Sequence, residues 1–274
     1  MREQRKQIAE ETLKIQQQGF YIAPSGNRVN IDAAQKRSEG SSRLITPKDG
    51  QRLTKSLHTA DGSANTFYEV VNASTVKAII DEVNTGQPTA ALNFASAKNP
   101  GGGFLNGAMA QEEALAATSG LYNTQIRHMA YYDENRACRS MMYTDNAIYS
   151  PDVVFFRDEN NKLLEVPVTC SILTLPAVNM RQVRLKGEDV NWARMTMKDR
   201  MRLALAIFAY EKNQTIILGA YGCGVFGNDP NDVARWWHEL LVDEKYGGYF
   251  KRVLFVILDK PGGENIKAFE RVFA

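Results

Sequence analysis

Twice in this chain an apolar run of strand length passes through a glycine-rich loop into a helix-forming segment, and that order constrains the fold more than any other feature. The first case is Thr89-Ala-Ala-Leu-Asn-Phe-Ala95, followed by Gly101-Gly102-Gly103 and a helix opening near Glu112 and Glu113. The second is Thr215-Ile-Ile-Leu218, followed by GAYGCGVFGND and a helix from Pro230. Between and around them the alternation continues. Strands are expected over 67–71, 153–156, 163–166, 171–174 and 253–258, and helices over 76–83, capped by Ser74 or Thr75, then over 198–212, 230–242 and 264–272. A long helical segment is expected after the Glu pair, and Met201, Leu205 and Phe208 share one face of the 198–212 helix. Such alternation predicts a layered α/β sheet with helices on both faces.

The remaining N-terminal part is less regular. Residues 2–18 carry Ile8, Leu13 and Ile15 at weakly amphipathic spacing, which predicts a helix at the domain edge. Two apolar runs around Pro24-Ser25-Gly26-Asn27 read as a β-hairpin over 19–31, and residues 32–64 read as loop-rich. No repeat and no Pro/Gly/Ser-rich linker divides the chain, so one domain over 1–274 is expected, with 1–64 as an N-terminal extension of a core over 65–274.

Composition narrows the function classes. With 33 Lys plus Arg against 31 Asp plus Glu, no strong overall field draws the chain to a polyanion or an acidic membrane surface, and sequence-specific nucleic acid binding is not expected. Any anion must be gripped locally. Cys138, Cys170 and Cys223 are odd in number and lack paired ligand spacing, which argues for a reducing compartment, no disulfide framework and no zinc. Neither a signal-peptide core nor a run of about 18 apolar residues occurs, so a cytoplasmic protein is expected. His58, His128 and His238 show no ligand spacing with one another or with the cysteines, and structural roles are expected for them.

The loop GGGFLNGAMAQEE concentrates the chemistry. Glycines at 101, 102 and 103 let backbone press against a sugar or phosphate that a Cβ would push away. Glu112 and Glu113 sit where a helix begins, and acidic residues there also simply complement the helix dipole. If both act on a ligand, neighbouring helical positions point about 100° apart, so one carboxylate anchors while the other reacts. The anchor can accept hydrogen bonds from sugar hydroxyls, and the reacting group can protonate a departing oxygen. A helix N-terminus lowers a carboxyl pKa, whereas the adjacent like charge, desolvation and substrate phosphates raise it. The second loop can ring an anion with its backbone N–H groups near a helix N-terminus. Asp229 and Pro230 are explained as N-cap and first helical residue, but Gly222, Gly224 and Gly227 are not explained by capping. Cys223 has no His or Asp neighbour to activate it, which leaves it a backbone role. Tyr131-Tyr132 and Trp236-Trp237 lie in helical stretches where one ring of each pair is expected in the core.

The stretch GGGFLNGAMAQEE resembles the signature loop of the poly(ADP-ribose) glycohydrolases, and GAYGCGVFGND resembles the phosphate-binding loop of the microbial type of that family. The resemblance implies a three-layer α/β/α, macrodomain-like mixed sheet with an N-terminal helical and hairpin extension. It implies hydrolysis of ribose–ribose bonds in poly(ADP-ribose), release of ADP-ribose, and no cofactor. Glu113 then carries over as catalytic acid and base, Glu112 as the residue that positions the ribose, and Gln111 as loop support or sugar contact. Leu92-Asn-Phe-Ala-Ser-Ala-Lys-Asn-Pro-Gly-Gly-Gly103 looks like the macrodomain approach to the distal ribose, with Ser96 or Asn99 as the contact. Gly222, Cys223, Gly224, Val225 and Gly227 would hold the diphosphate by backbone, and Phe226 would pack on the distal ribose. A DNA-damage connection is implied by the family alone. Two other readings use the same pocket: a non-catalytic ADP-ribose-binding macrodomain, or a hydrolase of mono-ADP-ribosylated proteins.

Overall fold

The computed structural model describes residues 2–57 and 65–273. In chain order the elements are α1 (Arg2–Gln18), β1 (Phe20–Ile22), β2 (Arg28–Asn30), α2 (Asp32–Ser41), β3 (Arg43–Ile45), α3 (Pro47–Ser56), β4 (Phe67–Val71), α4 (Thr75–Val83) and β5 (Thr89–Ala95). Next come α5 (Gln111–Thr118), α6 (Leu121–Ile126), α7 (Met129–Ala137), β6 (Ala147–Arg157), β7 (Leu163–Pro176), α8 (Met180–Leu185) and α9 (Val190–Tyr210). Last are β8 (Thr215–Leu218), α10 (Pro230–His238), β9 (Arg252–Val256) and α11 (Glu264–Phe273).

Seven strands form one mixed sheet in the order β3-β6-β7-β5-β8-β9-β4, with β6 antiparallel to both neighbours and the ladder from β7 to β4 parallel. The two-residue period of β5 distributes its side chains between two cores. Ala90 and Leu92 join the core built with α8 to α11, whereas Ala91 joins the core with Val76 and Ile79 of α4, Leu115 of α5 and Leu121 of α6. This is the three-layer α/β/α sheet that the sequence implied. The hairpin of β1 and β2 pairs as expected, and Tyr21, Ala23 and Ile31 from this region pack with Ile15 on Val154 and Phe156 of β6. No helix among the described residues is long and apolar enough to cross a membrane.

Several boundaries differ from the sequence expectation, each for a physical reason. Residues 32–56 are not loop-rich: they form α2, β3 and α3. The buried residues of α2 are polar, with Gln35 donating to the Gly120 carbonyl (3.0 Å) and Ser38 to the Pro151 carbonyl (2.6 Å), so no apolar stripe marks it. α3 did have a sequence signal, because Thr46 and Asp49 close a capping box around Pro47. The long helix expected after the Glu pair is three helices. Its first break falls where Ser119 bridges Phe155 and the Gly120 amide donates to the Val154 carbonyl, pinning the chain to β6. β7 is one strand where two were expected, α9 begins at Val190 under an Asp189 cap, and the turn past His238 widens into a π-type turn. Both rings of Tyr131-Tyr132 and both of Trp236-Trp237 are buried.

Just past the end of β8, at Gly219, a Cβ would lie 2.5 Å from the Val256 carbonyl oxygen and 3.1 Å from the Phe94 ring. Substituting Gly219→Ala must therefore push β8 away from β9, and we expect about 1–3 kcal/mol of lost stability. Denaturant unfolding should show a lower midpoint with unchanged slope, while Gly224→Ala, whose Cβ would meet nothing within 4 Å, should unfold like the parent protein.

Candidate active site

The site lies at the carboxyl ends of β5 and β8, where open α/β sheets place their ligands. β5 pairs with β8 only over Thr89–Ala91, while its ladder with β7 runs to Ala95. Past Ala91 the two parallel strands part, and the Gln111 side chain takes the place of the lost neighbour. Its amide donates to the Leu92 carbonyl (2.8 Å) and its oxygen accepts from the Phe94 amide (2.9 Å). Gln111 thereby ties the start of α5 to the exposed edge of β5.

Glu112 is buried, with 3% of its surface exposed. Its Oε1 accepts from the Asn93 side-chain amide (3.1 Å) and the Gln125 side-chain amide (3.0 Å), and its Oε2 accepts from the Ser96 backbone amide (2.6 Å). Both amides also donate to Thr174 Oγ1, which faces Asn93 across the β5–β7 ladder. The Gln125 oxygen reaches on to the Gly101 amide at 2.9 Å. Burial pushes the Glu112 carboxyl up to about 8, against the opposing pull of the Ser96, Asn93 and Gln125 donors.

Glu113, one position on, is half-buried and turned elsewhere: its Oε1 accepts from the Gly103 amide at 2.9 Å. Gly101 and Gly102 both sit at positive φ, +62° and +60°. A Cβ on Gly102 would collide with Glu113 Oε1 and lie 3.0 Å from Glu112 Oε2, so this glycine is required for both carboxyl groups to reach the loop. Ser96 Oγ accepts from the Lys98 and Asn99 amides, closing a turn beneath the loop, and Asn99 itself is exposed.

Glu113 lines a cleft of about 430 Å³ together with Phe94, Gln111, Ala114, Ala220 and Leu258. Ala220 leads into the second glycine loop. There Gly222 (φ +75°) and Gly227 (φ +68°) need left-handed backbone, and a Cβ on Gly222 would press on Asn228 and Ala177. Gly224 has neither constraint, so nothing inside the chain explains its missing side chain. Among the described residues, the amides of Gly224, Val225 and Phe226 donate no hydrogen bond, while the Phe226 carbonyl accepts from the Arg181 amide (2.8 Å). Phe226 is neither fully buried nor free: its ring is tilted against Tyr143 at 6.2 Å. Burial raises the Cys223 thiol well above its ordinary range, which suits its expected backbone role and not that of a thiolate.

Sequence reasoning missed Asn93, Gln125 and Thr174, the partners that hold Glu112. Asn93 did carry a signal, because a lone amide in an otherwise apolar buried strand needs a polar partner. His128 is held by Ser42 Oγ at 2.9 Å, His238 stands 4.0 Å from Asp243, and His58 lies outside the described residues.

The titration of Glu112 has a consequence for stability. Its folded pKa is raised from 4.5 to about 8, so its contribution to stability is complete below pH 4.5 and is lost as pH rises through about 8. Urea unfolding across that interval should show stability falling with pH, and Glu112→Gln should flatten that fall; an unchanged slope in the variant would mean that Glu112 titrates normally.

The family model for the catalytic domain of microbial-type poly(ADP-ribose) glycohydrolases matches residues 9–158, which include the first glycine loop and the Glu pair. No curated protein matches the chain. Among solved structures, the poly(ADP-ribose) glycohydrolase of Thermomonospora curvata is 38% identical with a TM-score of 0.95, over 99% of this chain and 100% of that one. The same enzyme bound to the inhibitor ADP-HPD is 38% identical with a TM-score of 0.91, over 98% and 99% of the two chains. The Deinococcus radiodurans poly(ADP-ribose) glycohydrolase in complex with ADP-ribose is 41% identical with a TM-score of 0.83, over 89% and 98%. The structural likeness extends beyond residue 158 through the second glycine loop, and the chain belongs to the microbial-type poly(ADP-ribose) glycohydrolase family.

Proposed function

We propose that this protein hydrolyses the ribose–ribose O-glycosidic bonds of poly(ADP-ribose), releasing ADP-ribose, with Glu113 as general acid and then general base. The observation that carries this reading is the division of labour within the Glu pair: Glu112 is buried and triply bonded, while Glu113 lines the cleft. As the bond between the anomeric carbon and the departing ribose oxygen breaks, positive charge grows on the sugar, and the Glu113 proton passes to that oxygen. The resulting carboxylate then takes a proton from water as its oxygen bonds to the anomeric carbon. These steps need neither a metal nor a nucleotide cofactor.

The remaining residues serve binding. The free amides of Gly224, Val225 and Phe226 are suited to the diphosphate, with Gly222, Cys223 and Gly227 shaping that backbone, and Phe226 packs on the distal ribose. Glu112 Oε2 accepts only the Ser96 amide and faces Gly102, which leaves it able to accept a ribose hydroxyl. Ser96 or Asn99 adds a further contact from the same loop, and Gly101, Gly102 and Gly103 allow the sugar close to the backbone. The whole chain acts as one domain in this reading, since β3, from the N-terminal part, pairs with β6 in the central sheet. We place the protein in the cytoplasm, whose reducing conditions suit three free cysteines.

Incubation with automodified polymer should release free ADP-ribose. The two rival readings predict other outcomes: release of ADP-ribose from mono-modified protein, or binding of ADP-ribose with no turnover. Glu113→Gln, nearly isosteric but without an ionisable group, should lower kcat by about a hundred- to ten-thousandfold. Unchanged turnover in that variant would exclude Glu113 as the acid.

A further inference from the structure

Tyr143 adopts φ +60°, a left-handed backbone that a bulky aromatic residue takes only when its surroundings impose it. The chain on either side of it is held by buried groups. Arg200 is 1% exposed, and its Nη1 donates to the carbonyls of Met142 (2.7 Å) and Pro176 (3.0 Å). Its Nε and Nη2 donate to Asp145 Oδ1 at 3.0 and 2.9 Å. The Thr144 amide and hydroxyl both donate to Oδ1 of the buried Asn135, and the Met141 carbonyl accepts from the Asn179 amide. A fully buried guanidinium thus ties the carboxyl end of β7 to both flanks of Tyr143.

The ring held this way lies against Phe226, with centroids 6.2 Å apart and planes tilted by 44°, within the range of favourable aromatic pairs. Phe226 belongs to the loop whose backbone is fixed by Gly222, Asn228 and Arg181; its ring packs at the edge of the main core, and among the described residues Tyr143 is its one aromatic partner. Strain stored next to a ligand loop is a sign of orientation being selected over local stability.

We propose that Tyr143 is a positioning residue for the hydrolysis: its ring backs Phe226 and sets the angle at which Phe226 meets the terminal ribose, and Arg200 holds Tyr143 in the left-handed backbone this requires. The inference rests on the glycohydrolase reading above. It assigns Tyr143 no contact with the reacting atoms; its effect passes through Phe226.

Glycine suits a left-handed position, so Tyr143→Gly removes the ring while relieving the backbone, and that relief offsets part of the stability lost with the ring's contacts. Its kcat on poly(ADP-ribose) should nevertheless fall about three- to tenfold, with KM changing less than about twofold. Tyr143→Phe, which keeps the ring, should behave like the parent. Because Tyr143 acts through Phe226, the Tyr143→Gly, Phe226→Ala double variant should be no slower than Phe226→Ala alone. Full kcat in Tyr143→Gly, a slow Tyr143→Phe, or losses that multiply in the double variant would each overturn the proposal. Failure of the parent protein to cleave the polymer would instead remove the glycohydrolase reading and this inference with it, so the two failures are told apart by the parent control.

Discussion

Removing a carboxyl group from water is unfavourable by more than one neutral hydrogen bond returns, and the structure around the cleft is organised by how this is met at Glu112. Three separate parts of the chain converge on that side chain: β5 through Asn93, the loop after β5 through the Ser96 amide, and α6 through Gln125. Gln125 passes the connection to the Gly101 amide, so the glycine loop is tethered to the same carboxyl. Once Glu112 is fixed at the start of α5, the direction of Glu113 follows from helix geometry. Gly103 donates to Glu113, and Gly102 leaves room for both carboxyl groups. Losing the Glu112 carboxyl would leave the Ser96 amide without its acceptor and the Asn93 and Gln125 amides with Thr174 alone, which is why its contribution reaches beyond one residue.

The cleft itself depends on strands that part company. β8 follows β5 for three residue pairs only, and β9 follows β8 for four. The Gln111 side chain satisfies the Leu92 carbonyl and the Phe94 amide that this separation exposes on β5. Gly219 marks the other wall, where β8, β9 and Phe94 approach too closely for a side chain. Gln111, Glu112 and Glu113 are therefore three consecutive residues with three different surroundings: the exposed edge of β5, the buried amides behind the glycine loop, and the cleft.

Local signals carried much of this into the sequence. The order strand, glycine loop, helix was readable at both loops because periodicity and glycine placement are local properties, and Asp229 with Pro230 marked the start of α10 correctly. What was not legible depends on contacts distant in sequence. α2 was missed because its buried face is polar and is satisfied by Gly120 and Pro151, far along the chain. The end of α5 had a local signal in Ser119-Gly120, but the pairing of Ser119 with Phe155 that pins this break to β6 is distant in sequence. The raised pKa of Glu112 could not be read because the weighing of burial against Asn93, Ser96 and Gln125 exists only after folding. Gly224 illustrates the reverse case: its glycine was visible in sequence, but only the structure shows that the fold has no use for it.

The central claim is that an anchored Glu112 directs Glu113 at a sugar whose diphosphate is held by backbone amides. A crystal structure of the protein with ADP-ribose tests it most directly. The account predicts the Glu113 carboxyl within hydrogen-bonding distance of the distal ribose at its anomeric end, and the diphosphate against the amides of Gly224, Val225 and Phe226. A distal ribose bound away from Glu113, with that carboxyl pointing into bulk solvent, would contradict it.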